Sequence, residues 1–388
     1  MSAAEKIAVL HVALNPVTGP WSVMRELAKA QAGSGLYAGV GVGVITYRDW
    51  GEQYQAELDG LELPVFRAFT PKMFGTASFV WQRIQKPPFA KWIADFANRC
   101  AAQNIIVHFH NAWMSGVFLP LPPSKNKRLA AIATFHGVNA FLEGQPMRHR
   151  LHRWMAQRLL RAGAKLTSVD AANLSRAETM FGLPADKFQV VPNGVTATDL
   201  RACPFLRGDP RFTVGHVGSL IPQKGWDIAT HSVIAAARSG ISCRMIIAGA
   251  GPDEAQARDL AKANPGIIEF RGFVRDPRRN LLPELDLLAV MSSHEGLPMS
   301  AVEALSVGLP VAGTAVGGMP EAVENGQTGF LVERSSNALE KIISNLAADR
   351  PRLQQLSDSS LEHFKSRFEI SIIVAAYHDV YSSALFPA

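Results

Sequence analysis

The sequence predicts an α/β chain made of two doubly wound, Rossmann-like parallel-sheet domains. Short β-branched runs alternate with helical stretches from end to end, the rhythm pauses once near the middle, and it restarts there on a fresh strand. In the first half the runs are KIAVLHVAL, VGVGVITY, NIIVHF, LAAIATF, AKLTSV and FQVVPN. In the second they are FTVGHVGS, CRMIIAGAG, GIIEFRG, LDLLAVMSS, LPVAGT and TGFLV. Most are continuously apolar, which suits strands covered on both faces. The pause is DLRACPFLRGDP at 199–210, so the domains are placed at 1–202 and 203–368. The closing stretch, EISIIVAAYHDVYSSALF, reads as a helix over about 369–388 that crosses back onto the first domain. Ligands of such sheets bind at the carboxyl ends of the strands, so a cleft between the domains is the default site.

Composition narrows the class. A chain that is 47% hydrophobic and 19% charged is folded and core-rich. The leading apolar run, Ile7 to Leu14, is eight residues long and is closed by Asn15-Pro16. It is too short to span a bilayer and carries no cleavage pattern, so the expectation is a soluble or at most peripheral cytoplasmic protein. Cys100, Cys203 and Cys243 are far apart and form no Cys-x-x-Cys pair, which argues against a disulfide framework and a zinc site. Charge is uneven. Residues 63–169 hold fifteen Lys or Arg against two acids, Asp95 and Glu143, while the whole chain is only +6. A basic first half facing an acidic second half implies a negatively charged partner for the first.

Five stretches could carry chemistry. In VGHVGSLIPQKGWDIAT a strand reaches a Gly218-Ser219 turn, and Lys224-Gly225 opens a helix. Turn N–H groups and one ammonium suit a pyrophosphate, although an ordinary loop with a solvated lysine fits the same residues. SSHEGLPMSAVEALSVGLPVAG puts Glu295 on a loop at a strand end and Glu303 in the body of the following helix, with Pro298 in its first turn and Gly308 and Pro310 as its stop. Two carboxylates around a positive helix end could bind hydroxyls and phosphates of one ligand. A capping Glu295 and a solvated Glu303 are the plain alternative. Gly317-Gly318 is either a site of close backbone approach or a turn. VHFHNAWMSG and TFHG put His108 and His110 at one strand end and His136 at the next. His108 and His110 share a strand face, but with no carboxylate or cysteine beside them they are read as hydrogen-bonding groups and not metal ligands. For His108 a satisfied core histidine is the plain reading.

Taken together, TFHG, VVPNGV, VGSLIPQKG, IIAGAGP, FRGFV and above all EGLPMSAVEALSVGLPVAGTAVGGMPEAVENGQTGFLV resemble the retaining nucleotide-sugar glycosyltransferases of family 4, which have the GT-B fold. The resemblance implies that the first domain binds the acceptor and the second the donor. By the resemblance, Glu295 faces the donor sugar, Glu303 holds the ribose, and Gly296, Leu297 and Pro298 line the sugar and diphosphate. Lys224, with the Gly218-Ser219 turn, would meet the phosphates, Val274 the base, and His136 the sugar near the reacting carbon. His108, His110 and Thr134 fall at the acceptor side, and Gly19 in the first-strand loop at the donor side. Glu295, His136 and Lys224 are thus the expected catalytic residues, with no metal and no cofactor. Two departures stand out: Ser219 where many members carry Arg, and Pro20 after Gly19 where Gly-Gly is usual.

The expected reaction moves a hexose-type sugar from a UDP- or GDP-linked donor to a hydroxyl acceptor with retention, in polysaccharide or glycolipid assembly. The basic half suggests where. Residues 63–94 interleave Arg67, Lys72, Arg83, Lys86 and Lys91 with Phe66, Phe69, Phe74, Phe79, Trp81, Phe89 and Trp92, and 147–162 read as a cationic amphipathic helix with Leu151, Met155 and Leu159 on one side. Both suit an anionic membrane surface and a lipid-linked or anionic acceptor, unless the aromatics are core. Nucleic acid is not expected, since no binding module accompanies the basic residues. The alternatives are a GT-B sugar-nucleotide epimerase, which needs no acceptor, and a silent sugar-nucleotide- or membrane-binding protein.

Overall fold

The computed structural model describes residues 6–14, 19–47, 55–70, 86–110, 116, 118–124, 126–137, 146–208 and 210–387. The chain forms two compact units, one of Met1–Thr196 with Ile370–Ala388, the other of Ala197–Glu369.

The first unit is a seven-stranded parallel sheet: β1 (Ile7–Leu14), β2 (Tyr37–Tyr47), β3 (Val65–Thr70), β4 (Asn104–Phe109), β5 (Arg128–Phe135), β6 (Lys165–Ser168) and β7 (Phe188–Val190). Their order is β3-β2-β1-β4-β5-β6-β7, so the winding reverses between β1 and β4. That switch point is where a doubly wound sheet opens a crevice for ligands. Along β1, Ala8, Leu10 and Val12 pack with Phe89, Trp92, Phe96 and Phe109 on one face. On the other, Ile7, Val9 and Ala13 pack with Trp21, Met24 and Leu27 of the helix Gly19–Gly33 and with Ile373, Val374 and Tyr377 of the C-terminal helix Ile370–Leu385. Burial on both faces is what the continuous apolar runs demand.

The lipid-facing reading of several aromatics is overturned. Phe66, Phe89 and Trp92 are 9, 3 and 8% exposed and belong to the core, as do Met155 and Leu159 of the helix Pro146–Arg161. Interleaved charges there are the outer face of elements whose apolar face is spent inside the unit. The same stretch supplies β3, a strand that the alternation of runs did not reveal. Lys72, Phe74, Phe79, Trp81 and Arg83 lie outside the described residues. Among those described, no helix is long and apolar enough to cross a membrane.

The second unit repeats the plan with six parallel strands, β8 (Phe212–Val217), β9 (Cys243–Ala248), β10 (Ile268–Gly272), β11 (Leu287–Val290), β12 (Val311–Thr314) and β13 (Gly329–Val332), in the order β10-β9-β8-β11-β12-β13. Its switch point lies between β8 and β11, registered with Leu287 opposite Val214. Buried Asp286 holds the entry to both strands, accepting from Phe205 N–H and Thr213 N–H at 2.8 Å each. The α/β, doubly wound fold expected from the sequence is the fold found.

Candidate active site

At the switch point of the second unit two loops meet. β8 runs into Gly218, whose N–H donates to Ala248 O at 3.0 Å, and a single turn, Pro222–Lys224, leads into the helix Trp226–Arg238. Gly225, with φ +62°, joins them; a Cβ there would lie 2.1 Å from Met291 O. Only glycine lets this loop rest on the end of β11. Ser293 N–H donates to Gln223 O at 2.8 Å, and Arg334 binds Met291 O through Nε at 2.9 Å and Pro222 O through its terminal nitrogen at 2.8 Å. The two loops are thereby one rigid piece.

That piece brings Lys224 and Glu295 together. Glu295 Oε1 accepts from Lys224 Nζ at 2.6 Å and from Ser292 Oγ at 2.6 Å. The Glu295 side chain is 9% exposed and that of Lys224 30%. A carboxylate so enclosed is costly unless paired, and the ammonium and the hydroxyl offset that cost. The loop is also held from its far side: Gly318 N–H donates to Gly296 O at 2.9 Å, and Gly317 (φ +54°) sits so close that a Cβ would be 2.0 Å from Glu295 O. The helix Met299–Ser306 starts after Pro298 with no side-chain cap, leaving first-turn N–H groups to meet an anion. Glu303 is half-buried on that helix, Leu297 and Pro298 are buried, Gly296 is half-buried, and Ser219 is exposed.

Two further residues of this unit were not anticipated. His216, on β8 and 3% exposed, is held neutral with a pKa of about 4, first by burial and then by the charge of Lys224. Phe273 is 74% exposed beside half-buried Val274, at the end of β10. A polar residue inside an apolar strand and an aromatic next to a glycine at a strand end were the available signals.

The first unit places a layer of polar side chains inside its core at the β1/β4 switch point. Parallel register sets His11 opposite His108, and His110 follows on the same face. His11 Nε2 meets Gln31 Oε1 at 2.7 Å, His11 Nδ1 meets His110 Nε2 at 2.9 Å, and His110 Nδ1 meets His136 Nε2 at 3.1 Å. A second branch leaves the same amide: Gln31 Nε2 donates to the Tyr381 hydroxyl at 3.2 Å, which meets His108 Nδ1 at 2.8 Å. His108 Nε2 then meets Thr134 Oγ1 at 2.6 Å, and Thr134 contacts Thr167 at 2.6 Å and the Tyr377 hydroxyl at 3.2 Å. Burial keeps these rings neutral. It lowers His11 to about 4 and His136 to about 3, and puts His108 and His110 well below their usual value.

His108, His110 and Thr134 are therefore corrected from acceptor contacts to members of an internal network: they are at most 1% exposed and their polar atoms are spent on one another. His136, half-buried, is the outermost member, and Gly19 is exposed at the start of its helix. The metal question also changes its terms. His11, His108 and His110 do offer ligand atoms within 4.8 Å of one another, a third histidine that sequence order hid. Yet both nitrogens of His108 are already taken by Tyr381 and Thr134, so the trio does not fit a resident ion without dismantling the network.

Two Rossmann-type sheets with glycine-bound loops at the second switch point define a protein of the GT-B class. The family follows from comparison with known sequences. A model described as Glycosyltransferase Family 4 matches residues 17–199, and one described as Glycosyl transferases group 1 matches 211–349. The chain belongs to this glycosyltransferase family. It is similar to a 2-deoxystreptamine glucosyltransferase of Streptomyces kanamyceticus, 30% identical over 192 residues that make up 46% of this chain and 48% of that protein. It is also similar to a GDP-mannose-dependent alpha-(1-6)-phosphatidylinositol monomannoside mannosyltransferase of Mycobacterium tuberculosis, 26% identical over 234 residues, 55% of this chain and 60% of that one. The match thus spans about half to three fifths of the length of these curated relatives. Among solved structures, Anabaena HepE in complex with UDP and glucose shares the fold with a TM-score of 0.73 at 20% identity, covering 97% of this chain and 99% of its own.

Proposed function

We propose that this protein is a retaining glycosyltransferase that moves a hexose-type sugar from a nucleoside-diphosphate donor to a hydroxyl acceptor, without a metal. One observation carries the reading: Lys224, Ser292 and Glu295 converge within 2.6 Å contacts on the loops of the β8/β11 switch point, beside a helix N-terminus without a side-chain cap. A diphosphate entering here competes with Glu295 for the Lys224 ammonium. Lys224 then turns to the phosphates, and the Glu295 carboxylate is released to accept hydroxyl groups of the sugar.

The bond from the sugar's anomeric carbon to the phosphate oxygen breaks, and the acceptor oxygen forms its new bond on the same face. The acceptor's proton leaves with the diphosphate. Lys224 and the helix N–H groups stabilise the negative charge developing on the leaving group, which is where electrostatic catalysis acts most strongly. Glu295 is an orienting group and not a nucleophile. Gly218 and Ser219 lie along the phosphates, Glu303 at the ribose, and Val274, with Phe273, at the base. The first unit binds the acceptor, with His136 as its outermost polar group.

A lipid-linked or anionic acceptor is the finer part of this proposal. It rests on the excess of Lys and Arg over 63–169, of which Arg150, Arg153, Arg161 and Lys165 are exposed, and on the phosphatidylinositol-linked acceptor in one relative's name. Calorimetric titration with UDP, GDP and ADP tests the donor site, followed by nucleoside-diphosphate release from sugar conjugates of whichever binds. Micromolar binding of one nucleotide, weakened in Glu303→Ala, is the expected result. Binding of none would remove the reading. Donor isomerised without any acceptor would convert it into an epimerase.

A further inference from the structure

The helix Pro146–Arg161 spends one face inside the first unit, where Met155, Ala156 and Leu159 belong to the core. Its opposite face is of another kind. Arg150, Arg153, Trp154, Gln157 and Arg161 recur there at intervals of three and four residues, which makes a single stripe on a helix, and Lys165 follows just past its end. All but the half-buried Gln157 are exposed.

The stripe is held rigidly. Gln157 Nε2 donates to Phe181 O at 3.0 Å and to Gly182 O at 2.7 Å, and Arg158 donates from Nε to Gly116 O at 3.0 Å and from a terminal nitrogen to Leu119 O at 2.7 Å. The Arg158 guanidinium, so fixed, lies 5.0 Å from the centre of the Trp154 ring and braces it, yet the residue is 41% exposed. A large aromatic is thus kept at the surface in the middle of a cationic stripe.

The charges are not explained by the helix itself. Its sixteen residues include no acid. Arg158 and Arg161 in the last turn suit the helix dipole, but Arg148 and Arg150 near the start oppose it. Among the described residues, none of Arg150, Arg153, Arg161 and Lys165 pairs with a carboxylate. Uncompensated cations around one indole match an anionic bilayer, where the ring sits at headgroup level and the cations meet lipid phosphates. A second copy of this chain would set like charge against like, and a nucleic-acid strand would want successive aromatics to stack its bases.

We propose that this face of the helix Pro146–Arg161 docks the protein on an anionic lipid bilayer, with Trp154 at the headgroups and Arg150, Arg153, Arg161 and Lys165 against the phosphates. The docking stands apart from the transferase reading, since it uses no residue placed in the donor site.

The test is sedimentation of the full-length protein with vesicles of phosphatidylcholine mixed with phosphatidylglycerol, and with phosphatidylcholine alone. Wild-type protein is expected to bind the mixed vesicles at low salt, to bind phosphatidylcholine weakly, and to be released by high salt. Each cation near such a surface is worth about fivefold, so Arg150→Gln with Arg153→Gln should weaken binding about twentyfold, with melting and nucleotide affinity unchanged. Brominated lipids should quench part of the tryptophan emission, and Trp154→Phe should abolish that part. Absence of wild-type binding to mixed vesicles, binding indifferent to the arginine substitutions, or quenching that survives Trp154→Phe overturns the proposal. So does release from vesicles by a single-stranded oligonucleotide that binds the same stripe more tightly. Should the double variant not fold, salt release and lipid quenching of the wild type still decide. Vesicle binding by a protein that transfers no sugar would keep the docking and discard the transferase reading.

Discussion

The two switch points solve the same problem with opposite materials. In the second unit the polar groups come from two short loops, with Ser292 three residues from Glu295 and Lys224 seventy-one residues away. In the first they come from strands and helices as far apart as Gln31 and Tyr381, 350 residues along the chain. The loop site is charged and partly open, with Lys224 30% exposed; the histidine layer is neutral and enclosed. The contrast teaches that the charged groups of the second unit stand on loops where a ligand can reach them, whereas the neutral layer of the first is spent on its own hydrogen bonds.

The largest expected effect breaks the comparison at its charged end. Glu295→Ala or Lys224→Ala should lower transfer by about a hundredfold or more, the usual scale for removing a preorganised electrostatic contact. Glu295→Ala should leave nucleotide binding in place, because its carboxylate is read as a sugar contact, while Lys224→Ala should weaken it. Turnover of Glu295→Ala within twofold of wild type would take that residue out of the mechanism.

Acid should separate the two units next. His11 is held at about 4 and His136 at about 3, against an ordinary value of 6.5, and His108 and His110 are lowered as well. The unfolded chain therefore binds more protons once the pH falls below about 6.5. Stability that is present above that value is lost as the pH falls towards the folded values, at up to about 1.4 kcal/mol per pH unit for each histidine. The second unit carries His216, lowered to about 4, and His363, lowered by burial. Amide hydrogen exchange at pH 7, 6 and 5 should show the first unit losing protection before the second. Equal loss in both would mean that the histidine layer is hydrated in solution.

This difference also explains what the sequence revealed. Twelve of the thirteen strands among the described residues lie on the apolar runs, because burial on both faces writes itself into adjacent residues. The loop carrying Glu295 was legible for the same reason, its glycines, proline and carboxylates being neighbours in the chain. β3 was hidden because VFRAFT mixes arginine with aromatics, and Phe89 and Trp92 looked interfacial because their burial is decided by elements far off in sequence. His11 and Gln31 gave only the weak signal of a polar residue on an apolar face. That they meet His110 and Tyr381 is set by strand register and helix docking, which no single segment encodes.

A smaller effect sharpens the picture of the loop site. If Phe273 stacks on the nucleotide base, Phe273→Ala should weaken nucleotide binding by about 1 to 3 kcal/mol, the range for an aromatic under a base, and leave melting unchanged since the ring is 74% exposed. Unchanged affinity would place the base elsewhere on the loops of the second unit.

The smallest effect on stability distinguishes two kinds of glycine. Gly317→Ala should cost about 1 to 3 kcal/mol, because φ is +54° and the new Cβ would lie 2.0 Å from Glu295 O. Gly19→Ala should stay within about 0.5 kcal/mol, because among the described residues nothing lies within 4 Å of the place its Cβ would take. A protein that folds equally well with alanine at 19 has no internal need for glycine there. If donor affinity nevertheless falls in Gly19→Ala, measured by the same calorimetry, the space above Gly19 belongs to the ligand. If affinity is unchanged, Gly19 is an ordinary first residue of a helix, and donor recognition rests with the loops of the second unit.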